Sequence, residues 1–499
     1  MKQEILITLD ANEKRVAILQ EGRLEEFYIE RAGEPRLYGN VYKARVKSVV
    51  PGIGASFLDL GTKKDGFLYV MDALKSPLEL ETEYGDSPSA SNDHDNRSKR
   101  IEDVLKVGQE VIVQVVKEPI RTKGARLTTH FSIPARYLVM MPGTDKIGVS
   151  RRIEDRLERD RIRKILNENP RPKGTGYIVR TAAEGKGVKE FQRDIRYLTN
   201  VWERISKDIH HRKAPSLIHS EADLVERVIR DYLTEEDTAL VVDDAEVFHR
   251  ARKFCQVYLP GQNLDIQLYK EKVPLFEKFN IEKEVERTFQ KSVVLKSGGH
   301  IVIEQTEGLV AIDVNTGKFT GRRNLEETVY QTNLEAAWEV ARQLRLRDVG
   351  GIIIIDFIDL ERADHRRNLF RQFKEAVKKD RAKTNIVQMS ELGLVEMTRQ
   401  RVRPSLESAV YDSCPYCEGK GMVKSATTMA IQSVKDIRKA IGTAKSKILN
   451  VYVHPRVAER LQHQEKRAVE GVERISRSRV NIYAEPSLHM EDVNITFIK

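Results

Sequence analysis

The chain has 499 residues, 40% hydrophobic and 32% charged, which excludes a wholly disordered protein and leaves room for about three domains. Lysines and arginines number 85 against 75 aspartates and glutamates, and the net charge of +10 points mildly toward a polyanionic partner. No run approaches the ~18 apolar residues of a membrane span, and no signal-peptide core opens the chain. Cys255, Cys414 and Cys417 are too few for a disulfide framework, so the expected location is the cytoplasm.

In chain order, residues 1–31 read as three short strands, EILITL, RVAIL and LEEFYIE. Residues 37–70 are β-rich with frequent glycine turns. The polar segment 81–100 has little to bury and reads as a mobile surface loop. Strand pattern resumes at GQEVIVQVVKE (108–118). This spacing predicts a small closed barrel such as an OB-fold. Residues 130–225 mix a charged helix, the strand GYIVRTA and a further helix. Residues 226–290 alternate strand, helix and strand, and 425–499 form a small α/β tail.

The segment GLVAIDVNTGKFTG (308–321) reads as a strand ending in Asp313 and Asn315. A helix follows, with Asn324 as its expected N-cap and Gly350 and Gly351 as its stop. Next comes IIIIDFIDL (352–360), whose four isoleucines predict a strand buried on both faces and ending at Asp356. Strand, helix, strand is a parallel crossover, and the crevice of such units lies at the carboxyl ends of the strands. Asp313 and Asp356 are therefore expected to share one crevice. A carboxylate closing an apolar run needs compensation, and Mg²⁺ bound by one or two carboxylates supplies it. The plainer reading is a pair of turn-capping aspartates.

These motifs, with NVYKARVKSVVPGIGASFLDLG, SRRIE, VRTA and CPYCEGKG, closely resemble the ribonuclease E/ribonuclease G family of bacterial endoribonucleases, over nearly the whole chain. The resemblance implies cleavage of single-stranded RNA to 5′-phosphate and 3′-hydroxyl ends, in maturation of ribosomal RNA precursors and in mRNA decay. It makes Asp313 and Asp356 magnesium ligands and Asn315 the amide that positions the attacked phosphate. Phe57 and Phe67 match base-stacking phenylalanines, although an aromatic on a strand is otherwise more often core. Lys117 and Lys123 match lysines of the same RNA channel. Arg180 and Thr181 match the core of a 5′-monophosphate pocket completed by Ala135, Val139 and Lys383. In that pocket Ala135 stands where glycine is expected and Lys383 where arginine is expected. A non-catalytic RNA-binding regulator is the alternative that the intact Asp313, Asn315 and Asp356 oppose.

The implied architecture is α/β and multidomain. Residues 1–36 and 226–289 form a split RNase H-like subdomain, and 37–129 an inserted OB-fold RNA-binding barrel. Residues 130–225 form a 5′-end-sensing subdomain and 290–410 a DNase I-like catalytic subdomain. A zinc link (411–424) and a small C-terminal α/β domain (425–499) complete it. Cys414 and Cys417 form a Cys-x-x-Cys knuckle, half of the four ligands zinc requires, and no histidine stands at ligand spacing. Two chains supplying one pair each complete a site, as in the family's zinc-linked dimers, with a tetramer left open. The competing reading of the pair is a redox dithiol. Cys255 reads as core.

Overall fold

A computed structural model of the chain describes residues 3–31, 36–74, 100–119, 124–233, 238–306, 308–317, 325–390, 393–400, 406–443 and 448–498. Two compact units divide it, Met1–Ala409 and Val410–Lys499. Asn324, Lys123 and residues 81–99 of the polar segment lie outside the described residues.

In the first unit the N-terminal strands Gln3–Asp10, Glu13–Gln20 and Arg23–Arg31 form an antiparallel meander. Gln3–Asp10 also pairs in parallel with Thr238–Val242, which pairs in parallel with Asp265–Leu268. The two ends of this sheet are thus supplied by segments more than 200 residues apart.

A second sheet closes on itself. Strands Val41–Val50, Ala55–Asp59, Gly66–Tyr69, Arg126–Thr128 and Glu110–Lys117 follow one another in space, and the last pairs back onto the first. Alternation turns Ala44, Val46, Leu58, Leu68, Val113, Val115 and Leu127 inward to fill this five-stranded barrel. Closure requires a tight pass beside Gly66. A Cβ at Gly124 would stand 1.9 Å from the carbonyl oxygen of Asp65, so only glycine fits there. Next to the barrel, Ile133–Pro134, Leu138–Pro142, Ile147–Val149 and Thr175–Val179 form a four-stranded sheet. Helices Arg156–Glu168 and Val188–His211 pack on it through Ile162, Leu166, Phe191 and Leu198.

The opening motif lies in a six-stranded sheet. At its centre Leu309–Asn315 runs parallel to Gly351–Asp356, and helix Leu325–Leu346 makes the crossover between them. Val310, Ile312, Val314, Ile353 and Ile355 pack against Ala336, Val340 and Leu344 of that helix and against Leu369 and Phe373 of helix Ala363–Lys378. This corrects the expectation that the isoleucine strand is buried on both faces. Both helices cover one face only, and on the other Ile352 is 53% exposed. A continuous apolar run does not reveal how many of its faces are covered. The helix also stops earlier than the glycines suggested. It ends at Leu346, Asp348 takes the left-handed conformation with φ 47°, and Gly351 opens the next strand with φ 104°.

One buried ion pair ties this sheet to the loop at its edge. Arg399 Nε donates to Asp380 Oδ2 at 2.7 Å, and its Nη1 donates to Asp348 Oδ1 and to the Val349 carbonyl, both at 2.8 Å. Asp380→Ala would strand a guanidinium that is 5% exposed. We expect a loss of about 3 kcal/mol in chemical denaturation, the lower end for a broken buried pair because Asp348 still answers part of the charge. A loss below ~1 kcal/mol would show that Asp348 suffices.

The second unit holds a three-stranded sheet, Arg479–Ala484, Ile448–Val453 and Val493–Phe497 in spatial order. Helices Ala426–Thr443, Pro455–His463 and Lys466–Ser476 cover one face of it through Met429, Ile437, Val457, Leu461 and Val472.

Candidate active site and nucleic-acid interface

Asp313 and Asp356 are direct register partners on the two central parallel strands. Side chains opposite one another in a ladder share a face, and here it is the face opposite the two packed helices, where both carboxylates are exposed. Asn315, two residues on and hence on the same face, donates from Nδ2 to Asp313 Oδ2 at 2.6 Å. Partial burial, then repulsion from Asp313 and Asp359, pushes the Asp356 carboxyl above the ordinary aspartate range. Among the described residues these influences all act in that one direction, as expected where negative charge accumulates. Among the described residues no three His, Cys, Asp or Glu side chains enclose an ion. A cation at the pair would therefore keep most of its coordination for waters and phosphate oxygens, the habit of Mg²⁺.

Two residues the sequence reading missed fix the chain just after Asp356. Asn333, on the crossover helix and 0% exposed, donates from Nδ2 to the Ile358 carbonyl at 2.7 Å and accepts from the Ile358 N–H at 3.1 Å. Glu326, in the first turn of the same helix, accepts from the backbone N–H groups of Glu361 and Arg362 at 3.1 and 3.3 Å. Glu326 also meets His365 Nδ1 at 2.9 Å, and the His365 ring stacks on Tyr330 with centroids 4.0 Å apart. The signal for Asn333 was present in the sequence. It shares a helical face with Ala336, Ala337 and Val340, where a polar residue must have a partner.

On the barrel, Phe57 and Phe67 are register partners with ring centroids 5.8 Å apart, edge to face. Both are half-buried and neither belongs to the barrel core. The register continues from Phe67 to Arg126 and from Arg126 to the exposed Lys117, so two aromatic and two basic side chains follow one another across four strands. Arg126 was not singled out from sequence, because its place beside Phe67 depends on the parallel pairing that closes the barrel.

The residues of the expected 5′-phosphate pocket are partly drawn together. Arg180 Nη1 donates to the Ala135 carbonyl at 2.8 Å and to Asp231 Oδ1 at 2.7 Å. Burial pushes the Asp231 carboxyl up, but Arg180, Arg230 and Arg381 outweigh it and hold the group below the usual carboxylate range. Thr181 is exposed, and its hydroxyl lies 3.2 Å from that of Ser150. Two residues past Ser150, Arg152 donates to the carbonyls of Asp380 and Ala382 at 2.7 and 2.6 Å, which fixes the loop bearing the exposed Lys383. The Ala135 N–H is already given to the Leu138 carbonyl at 2.7 Å. Val139 is half-buried opposite Ile178. Beneath this strand Asp194, 2% exposed, accepts from the N–H groups of Tyr137 and Leu138, and burial raises its carboxyl to about 6.

In the second unit Cys414 and Cys417 are free thiols, exposed and half-buried. Backbone N–H groups of Cys417 and Tyr416 point at Cys414 and hold its thiol below the usual range, and Gly421 N–H points at Cys417 Sγ from 3.3 Å. Left-handed Glu418, Gly419 and Gly421 curl the chain back after the pair and bring the Gly421 N–H to Cys417. The fold brings up His489, which no spacing in the sequence indicated. Its Nδ1 accepts from Glu491 N–H at 3.1 Å, so its Nε2 carries the proton given to the Tyr416 carbonyl at 2.5 Å. With both nitrogens engaged, His489 braces the knuckle. Cys255 lies in a core, 3% exposed, and burial pushes its thiol up to about 12.

Among the described residues no helix is long and apolar enough to cross a membrane. Residues 132–402 match the Ribonuclease E/G family, and residues 413–498 match its RNase E/G thioredoxin-like domain. The chain is 39% identical to Ribonuclease G of Escherichia coli (strain K12) over 498 residues, covering 100% of both. It is 37% identical to Ribonuclease G of Haemophilus influenzae over 493 residues, 99% of each. Against Ribonuclease E of Escherichia coli (strain K12) it is 38% identical over 476 residues, which are 95% of this chain and 44% of that protein. With its parallel crossover carrying the paired aspartates and its five-stranded barrel, the chain belongs to the ribonuclease E/G family of endoribonucleases.

Proposed function

We propose that this endoribonuclease hydrolyses single-stranded RNA at Asp313 and Asp356, with a magnesium ion held by both carboxylates, and leaves 5′-phosphate and 3′-hydroxyl ends. The observation that carries this reading is the facing pair of carboxylates, whose mutual repulsion helps push the Asp356 carboxyl above the ordinary aspartate range. Bound there, Mg²⁺ supplies a polarised water and neutralises charge on the phosphoryl oxygens. Asn315, fixed by its bond to Asp313, offers its amide to the attacked phosphate. Asn333 and Glu326 keep the segment after Asp356 from shifting as the substrate seats. Attack in line with the 3′ oxygen leaves the phosphate on the downstream fragment. The test is cleavage of an end-labelled single-stranded RNA in Mg²⁺ and in EDTA, with the new ends identified by their response to phosphatase and ligase. Equal cleavage in EDTA, or a 3′-phosphate product, would overturn it.

We read the barrel as an OB-fold and its outer face as the RNA grip, Phe57 and Phe67 stacking bases and Lys117 and Lys123 meeting phosphates. The sheet of 3–31 and 238–268 is read as RNase H-like and the sheet carrying the aspartates as DNase I-like. Arg180 and Thr181, with Ala135, Val139 and Lys383, form the 5′-monophosphate sensor, which favours RNA already cut once. Natural substrates on this reading are ribosomal RNA precursors and mRNA in the cytoplasm, cut by a dimer joined through Cys414 and Cys417. Phe57→Ala should weaken binding of a single-stranded oligonucleotide by about 1–3 kcal/mol, the usual worth of one stacked base. Unchanged affinity in a variant with wild-type thermal stability would remove Phe57 from the grip.

A further inference from the structure

We propose that Arg126, oriented by Asp72, is a further phosphate-binding residue of the barrel, next in line after the two phenylalanines. The inference rests on the reading that this outer face holds RNA. Register places Arg126 directly beside Phe67 on a neighbouring strand, with Lys117 one strand further on. Adjacent strands lie about 4.8 Å apart, so a nucleotide stacked on Phe67 brings a backbone phosphate within reach of a long side chain at position 126.

The guanidinium is also held ready. Arg126 Nε donates to Asp72 Oδ2 at 2.8 Å, and Nη2 lies 2.7 Å from the same oxygen in an ion pair. That uses one edge of the fork and leaves the Nη1–Nη2 edge, the one suited to two phosphate oxygens. Asp72 is 14% exposed and Arg126 41%, so the carboxylate anchors from below while the cation remains accessible. A purely structural tie explains less. The short helix Val70–Leu74 that carries Asp72 is already stapled through backbone oxygens, with Asp72 O accepting from Thr128 Oγ1 at 3.1 Å, from Thr129 Oγ1 at 3.3 Å and from Thr129 N–H at 3.2 Å. A half-exposed ion pair adds little to that anchorage.

The test is binding of a fluorescent single-stranded oligonucleotide across a salt series, in an Asp313→Asn background, with folding followed by thermal melting. Arg126→Ala should weaken binding about tenfold, as loss of a charged hydrogen bond does, and reduce the salt slope by about 0.7, one phosphate on a single strand. Arg126→Lys keeps the charge and should retain the slope but recover only part of the affinity. Asp72→Asn is the sharper variant. It removes a negative charge from the face, so simple charge attraction predicts tighter binding, whereas an oriented fork predicts weaker binding. Tighter binding by Asp72→Asn, or unchanged binding by Arg126→Ala where Phe57→Ala weakens it, overturns the inference. Unchanged binding by Phe57→Ala as well would overturn the RNA-grip reading on which it rests.

Discussion

Asp313→Asn and Asp356→Asn should each lower cleavage of single-stranded RNA by at least ~100-fold, the scale of losing a positioned electrostatic group or metal ligand. Both substitutions are isosteric and on an exposed sheet face, so the fold has no reason to suffer. Each also relieves repulsion between the two carboxylates, so stability should hold or rise slightly. RNA affinity should stay within a few-fold, because the proposed grip lies on the barrel. The assay separates these effects by measuring single-turnover cleavage and oligonucleotide affinity on the same preparations. A near wild-type rate for either variant in Mg²⁺ would remove that residue from the chemistry. Equal loss of affinity and rate would instead make the pair an RNA-binding element, in line with the non-catalytic regulator.

How much of this was legible beforehand depends on the range of the interaction that fixes each feature. The crossover carrying Asp313 and Asp356 could be read because two apolar strands and the amphipathic helix between them are local signals. The strand spacing of the barrel was equally local. Its closure, Val41–Val50 onto Glu110–Lys117, was not, and neither was the pairing of Gly66–Tyr69 with Arg126–Thr128 that sets Arg126 beside Phe67. The isoleucine run misled because hydrophobicity reports the environment of the folded strand only loosely. Ile352 lies on the face that carries the aspartates and remains half open. Asp380 in its loop meets Arg399 at a strand end and Arg152 from 228 residues away, and no periodicity predicts such a meeting. Near the cysteines, sequence spacing revealed the knuckle but not His489, which arrives from 72 residues beyond Cys417 and binds a backbone oxygen.

Replacing both Cys414 and Cys417 with Ser should abolish zinc binding and shift the protein toward monomer at low concentration. One chain presents two thiols and, among the described residues, no third ligand, since His489 has both nitrogens engaged. Zinc takes four. On the proposed reading a second chain supplies the rest, so the metal content should be one zinc per two chains. The turn aims backbone N–H groups at both sulfurs, and those at Cys414 hold its thiol below the usual range, an arrangement that suits a metal ligand. A redox dithiol would be expected to open a helix directly after a strand. Here left-handed Glu418, Gly419 and Gly421 follow the pair, and the next helix begins at Ala426. Native mass spectrometry with metal analysis of the same sample decides between the readings. One zinc per chain would require ligands within a single chain. No zinc, with a disulfide that forms and opens on redox cycling, would assign the pair to thiol exchange. Cleavage by the double variant then separates assembly from chemistry. The paired aspartates belong to the first folded unit, so residual activity should follow the monomer–dimer balance and recover as protein concentration rises.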